Sequence, residues 1–186
     1  MARTYSTMTM AIGSLAPDFT LMDVVTGAEV SMSGFIGQKA ILVIFLCRHC
    51  PFVKHLQEEL GRLAKEYMPR GLAVIGISSN DAVAYPMDSP ESLKEFAQEQ
   101  GYEFPICFDG DQAVARSYDA ACTPDFFLFD SNHRLTYRGQ FDDSRPSLDI
   151  PVTGKGLKEA IEATMSGHPC VEDQKPSLGC NIKWKF

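Results

Sequence analysis

The stretch from Ala40 to Cys47, AILVIFLC, holds no charged or polar-amide residue and is rich in β-branched and aromatic side chains. A run without polar alternation is the pattern of a strand covered on both faces, and such a strand needs other elements to cover it. One follows at once. In CPFVKHLQEELGRLAKEYMPRG, residues Val53, Leu56, Leu60, Leu63 and Tyr67 fall at three- and four-residue spacing, giving one apolar stripe on a helix. Pro51 occupies the first turn, where a missing N–H costs little, and Pro69 and Gly71 stop the helix. A buried strand thus delivers the chain to a helix N-terminus at Cys47.

The same alternation continues downstream. LAVIGIS (Leu72 to Ser78) reads as a second buried strand, and SPESLKEFAQEQG as a helix with Ser89 as N-cap, Pro90 at its first position and Gly101 as its stop. FPICF is a short strand and DQAVARSYD a short helix opened by Asp111. TPDFFLFDSNHRLTYRGQF reads as two strands around a turn at Ser131–His133. TGKGLKEAIEATMSGHP is a last helix, with Leu157, Ile161 and Met165 facing inward and Gly167 and Pro169 ending it. The opening APDFTLMDVVTGAEVSMSGF is a β-hairpin turning near Thr26–Gly27. Strands alternating with helices predict an α/β fold: a central mixed sheet, parallel at its middle, with helices on both faces. No repeat or linker divides the chain. The expected organisation is an N-terminal arm (1–12), one domain (13–167) and a C-terminal tail (168–186). Trp184 and Phe186 should fold the tail back, since exposed it would leave apolar surface in water.

Charge and composition narrow the partners. With 45% hydrophobic and 22% charged residues, the chain is neither disordered nor a membrane protein by composition. Its longest apolar run is too short to span a bilayer. The start, MARTYSTMTMAIG, has no continuous apolar segment, so no secretory signal is read and a cytoplasmic location is expected. A net charge of −7, without a basic cluster, argues against nucleic acid or an anionic membrane as partner.

In a reducing compartment a close cysteine pair is more often catalytic or metal-binding than structural. Cys47 and Cys50 form such a pair, with Arg48 and His49 between them. Half a metal site, a structural staple and a reversible dithiol are the competing readings. A structural zinc centre usually takes four ligands, commonly as two close pairs, and this sequence has one. A transient copper or zinc carrier using Cys47, His49 and Cys50 is the metal alternative. For a dithiol, the helix N-terminus and the cations Arg48 and His49 should lower the Cys47 pKa and tune the redox poise, making Cys47 the attacking thiolate. Cys50, nearly a turn further on, would close the disulfide as the more shielded thiol. His55, His133 and His168 read as surface residues and Cys107 as core. Cys180 is a plain buried thiol, a partner for Cys170, or a third redox cysteine.

Taken together, CxxC at a strand–helix junction and a later Thr123–Pro124 opening a hairpin resemble the thioredoxin superfamily. APDFTL and the segment Asn80–Phe108, inserted between the halves, are similar to its alkyl hydroperoxide reductase/thiol-specific antioxidant branch. CRHCPFVKH, CTPDFFLFD and GCNIKW resemble a peroxiredoxin-like subgroup of that branch. The resemblance implies a thioredoxin-like fold with an N-terminal β-hairpin extension and an inserted βα segment. It implies a thiol–disulfide oxidoreductase working through a mixed disulfide, or alternatively a thiol peroxidase. It further implies a cis Pro124 beside the dithiol, Thr123 and Pro124 as substrate-binding residues, and Cys180 as a candidate third redox cysteine. Partners would be protein or small-molecule disulfides and thiols, plus an electron-donor thiol system; no cofactor is implied.

Two departures stand out. Peroxiredoxins carry the spacing PxxxTxxC. Counting back from Cys47 gives Ile44 and Ala40, and from Cys50 gives Cys47 and Val43, so neither frame holds the threonine or proline. Thioredoxin carries a buried acid on the strand before its CxxC, whereas Ile41–Leu46 offers no carboxylate. If a base is needed, His49, His55 or water must serve.

Overall fold

The computed structural model describes residues 3–185. Its elements in chain order are β1 (Arg3–Tyr5), β2 (Thr20–Met22), β3 (Glu29–Ser31), β4 (Ala40–Phe45), α1 (Pro51–Tyr67), β5 (Leu72–Ser78), α2 (Pro90–Gln100), β6 (Ile106–Phe108), α3 (Ala113–Ser117), β7 (Cys122–Thr123), β8 (Asp125–Asp130), β9 (Leu135–Gly139), α4 (Lys155–Met165) and β10 (Leu178–Asn181). The main sheet runs β6-β5-β4-β8-β9. The β6–β5 and β5–β4 pairs are parallel, and β4–β8 and β8–β9 are antiparallel, so the sheet is mixed about a fully buried central strand.

The two faces of β4 are covered differently. Leu42 and Ile44 pack with the stripe of α1 and with buried residues of α2 and α4. Ile41, Val43 and Phe45 pack with Phe127, Phe129 and Tyr118 under α3, the β2–β3 hairpin and Trp184. Three longer helices thus share one face, and a short helix aided by hairpin and tail covers the other. The hairpin turns through Asp23–Ala28, where Gly27 adopts φ 72° and Asp23 accepts the Thr26 hydroxyl. α2 is capped as read, its Ser89 accepting from the Ser92 N–H and Gly101 left-handed at the end.

A second, three-stranded sheet, β1-β10-β7, has no counterpart in the sequence reading. It stitches both chain ends to the segment before Pro124: Cys180 pairs with Arg3 on one side and with Thr123 on the other. Its strands are two to four residues long and show no apolar alternation, so periodicity could not reveal them. Trp184 is partly buried, with the Arg116 guanidinium 4.6 Å over its ring; Phe186 lies outside the described residues.

Candidate active site

β4 ends at Phe45, and the Leu46 N–H still bonds the β5 carbonyl of Ile77 at 2.9 Å, so Cys47 leaves the sheet at a rigid edge. Cys47 is 1% exposed and Cys50 fully buried. α1 begins only at Pro51, and Cys50 is its N-cap. The helix N-terminus therefore acts on Cys50.

Thr123 serves both sulphurs. Its Oγ1 lies 3.3 Å from Cys47 Sγ and its carbonyl oxygen 3.1 Å from Cys50 Sγ. The Thr123–Pro124 bond is cis. Cys180, opposite Thr123 in the β10–β7 register, brings a third thiol near Cys50.

The two thiols of the pair titrate together. As a thiol, Cys50 donates to the Thr123 carbonyl. As a thiolate it is favoured first by the neighbouring Cys47 thiol, then by Cys180 and Thr123, and these hold its pKa below the ordinary thiol range despite burial. Cys47 is pushed up, first by the neighbouring Cys50, then by burial and by the Asp88 carboxylate. This reverses the electrostatic expectation that Cys47 is the acidic thiol.

The intervening side chains diverge. Arg48 turns away from the sulphurs onto α2: its Nη1 donates to Ser92 Oγ and Glu95, and its Nη2 to Glu99, each at 2.8 Å. Two exposed carboxylates thus hold the guanidinium on α2. Only its backbone N–H reaches the site, donating to Asp88 Oδ1 at 2.9 Å. His49 stays. Its ring stacks on Tyr85 at 5.6 Å, and its Nδ1 sits 2.5 Å from Asp88 Oδ2 without the alignment of a hydrogen bond.

Asp88 is the residue the sequence did not reveal. It is fully buried and also accepts from Asn80 Nδ2 at 2.8 Å. The carboxylate absent from β4 is thus supplied by the inserted segment. In sequence Asp88 merely precedes a helix cap, so nothing distinguished it from an ordinary turn acid. Cys47, His49 and Asp88 place three donor atoms within 4.8 Å of one another. Cys50, named in the metal reading, is not in that group.

Other readings change as well. His55 is half-buried, not a free surface residue. Ser144 Oγ donates to the Ile150 carbonyl, so it accepts from His55 Nε2, 2.7 Å away. Cys170 rests on α4, 3.4 Å from Thr164 Oγ1, whereas Cys180 faces Cys50; the two do not approach as partners. Cys107 is core, its pKa pushed up to about 12 by burial and then by Asp23. Thr123 is next to the dithiol as the resemblance implied, but its backbone edge is already paired with Cys180 of β10. An incoming chain cannot use that edge while β10 is seated there. A cavity of about 510 Å³ is walled by α4 and the 169–175 segment and contains no residue of the dithiol centre.

Comparison with known proteins agrees with this architecture. The chain is 50% identical to an uncharacterized conserved protein of Geobacillus kaustophilus of known crystal structure, with a TM-score of 0.96 over all of this chain and 97% of that one. It is 28% identical over 123 residues to the thiol-disulfide oxidoreductase ResA of Geobacillus kaustophilus (strain HTA426), a match spanning 66% of each chain, just under two thirds of that relative. It is 26% identical over 157 residues to peroxiredoxin Bcp of Escherichia coli (strain K12), covering 79% of this chain and 95% of that one. More distant solved structures share its thioredoxin-like fold. The AhpC/TSA family pattern matches residues 12–138, and the chain accordingly belongs to the AhpC/TSA family.

Proposed function

We propose that this protein is a cytoplasmic thiol–disulfide oxidoreductase that cycles Cys47 and Cys50 between dithiol and disulfide. The carrying observation is the buried Cys47–Cys50 pair, both sulphurs set against Thr123 between a strand end and a helix N-cap. Cys47 attacks one sulphur of a substrate disulfide and passes its proton to the Cys50 thiolate. The first substrate thiolate leaves and takes that proton from Cys50. Cys50 then attacks Cys47 Sγ, releasing the second substrate thiolate and leaving the Cys47–Cys50 disulfide. An external thiol system returns the two electrons. Protein or small-molecule disulfides are the substrate class. Among the described residues no helix is long and apolar enough to cross a membrane.

The test is capture of mixed disulfides. Cys50→Ser should lose multiple turnover and accumulate substrate on Cys47, because serine cannot close the second step. Cys47→Ser should accumulate none there. Capture on Cys50 of Cys47→Ser at equal yield would reverse the order of attack, and capture by neither variant would sink the dithiol reading.

Peroxide should be turned over poorly. Ile44 and Ala40 replace the threonine and proline of the peroxidase spacing, and the guanidinium nearest in sequence, Arg48, is held by Glu95 and Glu99. Thr123 Oγ1 alone does not pre-organise an O–O bond, and electrostatic pre-organisation is usually the largest catalytic term. Stopped-flow peroxide consumption should match an ordinary thiolate. Rapid, Cys47- or Cys50-dependent consumption would establish the peroxidase reading instead.

A second reading, a transient copper or zinc carrier, is favoured by the Cys47–His49–Asp88 donor group. Metal analysis of freshly purified protein decides it: stoichiometric metal lost in Cys47→Ser would support the carrier.

A further inference from the structure

We infer that Cys180 is a third redox thiol, held over Cys50 by a strand of the chain's own tail, and that Cys50 forms a disulfide with either Cys47 or Cys180. The inference rests on the dithiol reading above and extends it.

The geometry is specific to this segment. β10 lies antiparallel on β7 with Cys180 opposite Thr123, the residue whose hydroxyl and carbonyl meet the sulphurs of Cys47 and Cys50. The register is locked from both sides. Arg3 of β1 pairs with Cys180 on the outer edge, and the Ile182 N–H donates to the Ala121 carbonyl at 3.1 Å beyond it. At Gly179 a Cβ would sit 2.0 Å from the Thr123 carbonyl oxygen, so only glycine lets the strand approach this closely. Cys180 is 3% exposed and packs in the same apolar cluster as Cys47 and Cys50. Burial, followed by the neighbouring Cys50 thiol, pushes its pKa up to about 12. A buried thiol of ordinary core function needs only apolar neighbours; this one is aimed at a sulphur already in use.

The step balances without an added oxidant. In the Cys47–Cys50 disulfide form, the Cys180 sulphur attacks Cys50 Sγ. The Cys50–Cys180 bond forms, the Cys47–Cys50 bond breaks, and Cys47 leaves as the thiolate that takes the Cys180 proton. Two electrons' worth of oxidation is retained, now between α1 and β10, and Cys47 is again free.

The experiment uses the full chain with oxidised glutathione as the oxidant, followed by blocking of free thiols and mapping of disulfide-linked peptides. Wild type and the variants Cys47→Ser, Cys180→Ser and Cys47→Ser/Cys180→Ser are compared, each checked by circular dichroism for the native fold. Expected is a Cys50–Cys180 disulfide as the main product of Cys47→Ser, replaced in the double variant by glutathione on Cys50. If Cys47→Ser instead carries glutathione on Cys50, or links it to Cys122, the inference about Cys180 is overturned. A Cys47–Cys50 disulfide in Cys180→Ser then shows that the dithiol reading survives that failure. Its absence in both wild type and Cys180→Ser would overturn the dithiol reading, independently of Cys180. Gly179→Val supplies a second measurement: by lifting β10 it should lower the yield of Cys50–Cys180 while leaving all six thiols in place. An unchanged yield in a folded Gly179→Val would also count against the strand's role.

Discussion

At pH 8 the Arg138→Met variant should be about 3–5 kcal/mol less stable than wild type, the usual cost of leaving one member of a buried ion pair without its partner. At pH 5 the loss should be smaller by about 1.4 kcal/mol, the worth of the one pH unit between pH 8 and an Asp125 pKa near 7. Arg138 is 1% exposed, with Nη2 3.6 Å from Asp125 Oδ2. The same nitrogen donates to Thr7 Oγ1 and to the Asp119 carbonyl, and the guanidinium lies 4.4 Å over the Phe127 ring. The pair is long and incompletely satisfied: Arg138 Nε and Nη1 and Asp125 Oδ1 are buried without partners. Burial therefore dominates and lifts the Asp125 pKa to about 7, with Arg138 opposing the rise. An unfolded aspartate titrates near 3.9. Because the folded value is the higher one, this carboxyl favours the fold fully below about pH 4 and loses that contribution as pH rises through 7. At pH 5 Asp125 is protonated and needs no counter-charge; at pH 8 it is ionised and does. Urea unfolding of both proteins at the two pH values measures the difference. An equal loss at pH 5 and pH 8 would show that Arg138 acts through its hydrogen bonds and packing, not through the Asp125 charge.

Asp88→Asn should make the dithiol more oxidising. The Asp88 carboxylate raises the Cys47 pKa, so removing its charge favours the reduced thiolate form. Each pKa unit gained is worth about 1.4 kcal/mol, or about 30 mV in a two-electron couple. The substitution also costs stability. Asp88 accepts from the Arg48 N–H and from Asn80 Nδ2, and an asparagine turns one of its two oxygens into a donor, leaving a buried mismatch worth about 1–3 kcal/mol. Arg48→Met is the matched comparison: its guanidinium is held by Glu95 and Glu99, so its loss should move the potential little. Glutathione titration of the three proteins orders them. A potential that shifts with Arg48→Met and stays fixed with Asp88→Asn would restore the guanidinium as the tuning group.

The elements covering β4 were legible because burial leaves a periodic mark. An unbroken apolar run made a central strand, and the three- and four-residue spacing of Val53 to Tyr67 made the helix behind it. Capping residues were equally local: Ser89, Pro90, Gly101 and Gly167 act within one turn of themselves, and the structure places them as read. The same locality exposed the Cys47–Cys50 pair and its strand–helix junction. What the sequence could not determine was direction in space. Arg48 and His49 are adjacent in the chain, yet one side chain leaves for α2 and the other settles against Asp88. Helix phase made Cys50, not Cys47, the N-cap, a matter of three residues. The buried acid arrived from Asp88, 41 residues beyond Cys47 (88 − 47), where no spacing rule connects them. Cys180 reached Cys50 only because both chain ends join the edge at Thr123. Local chemistry chose the dithiol and the elements that carry it; long-range closure, which single-sequence periodicity does not encode, chose its neighbours and hence its electrostatics.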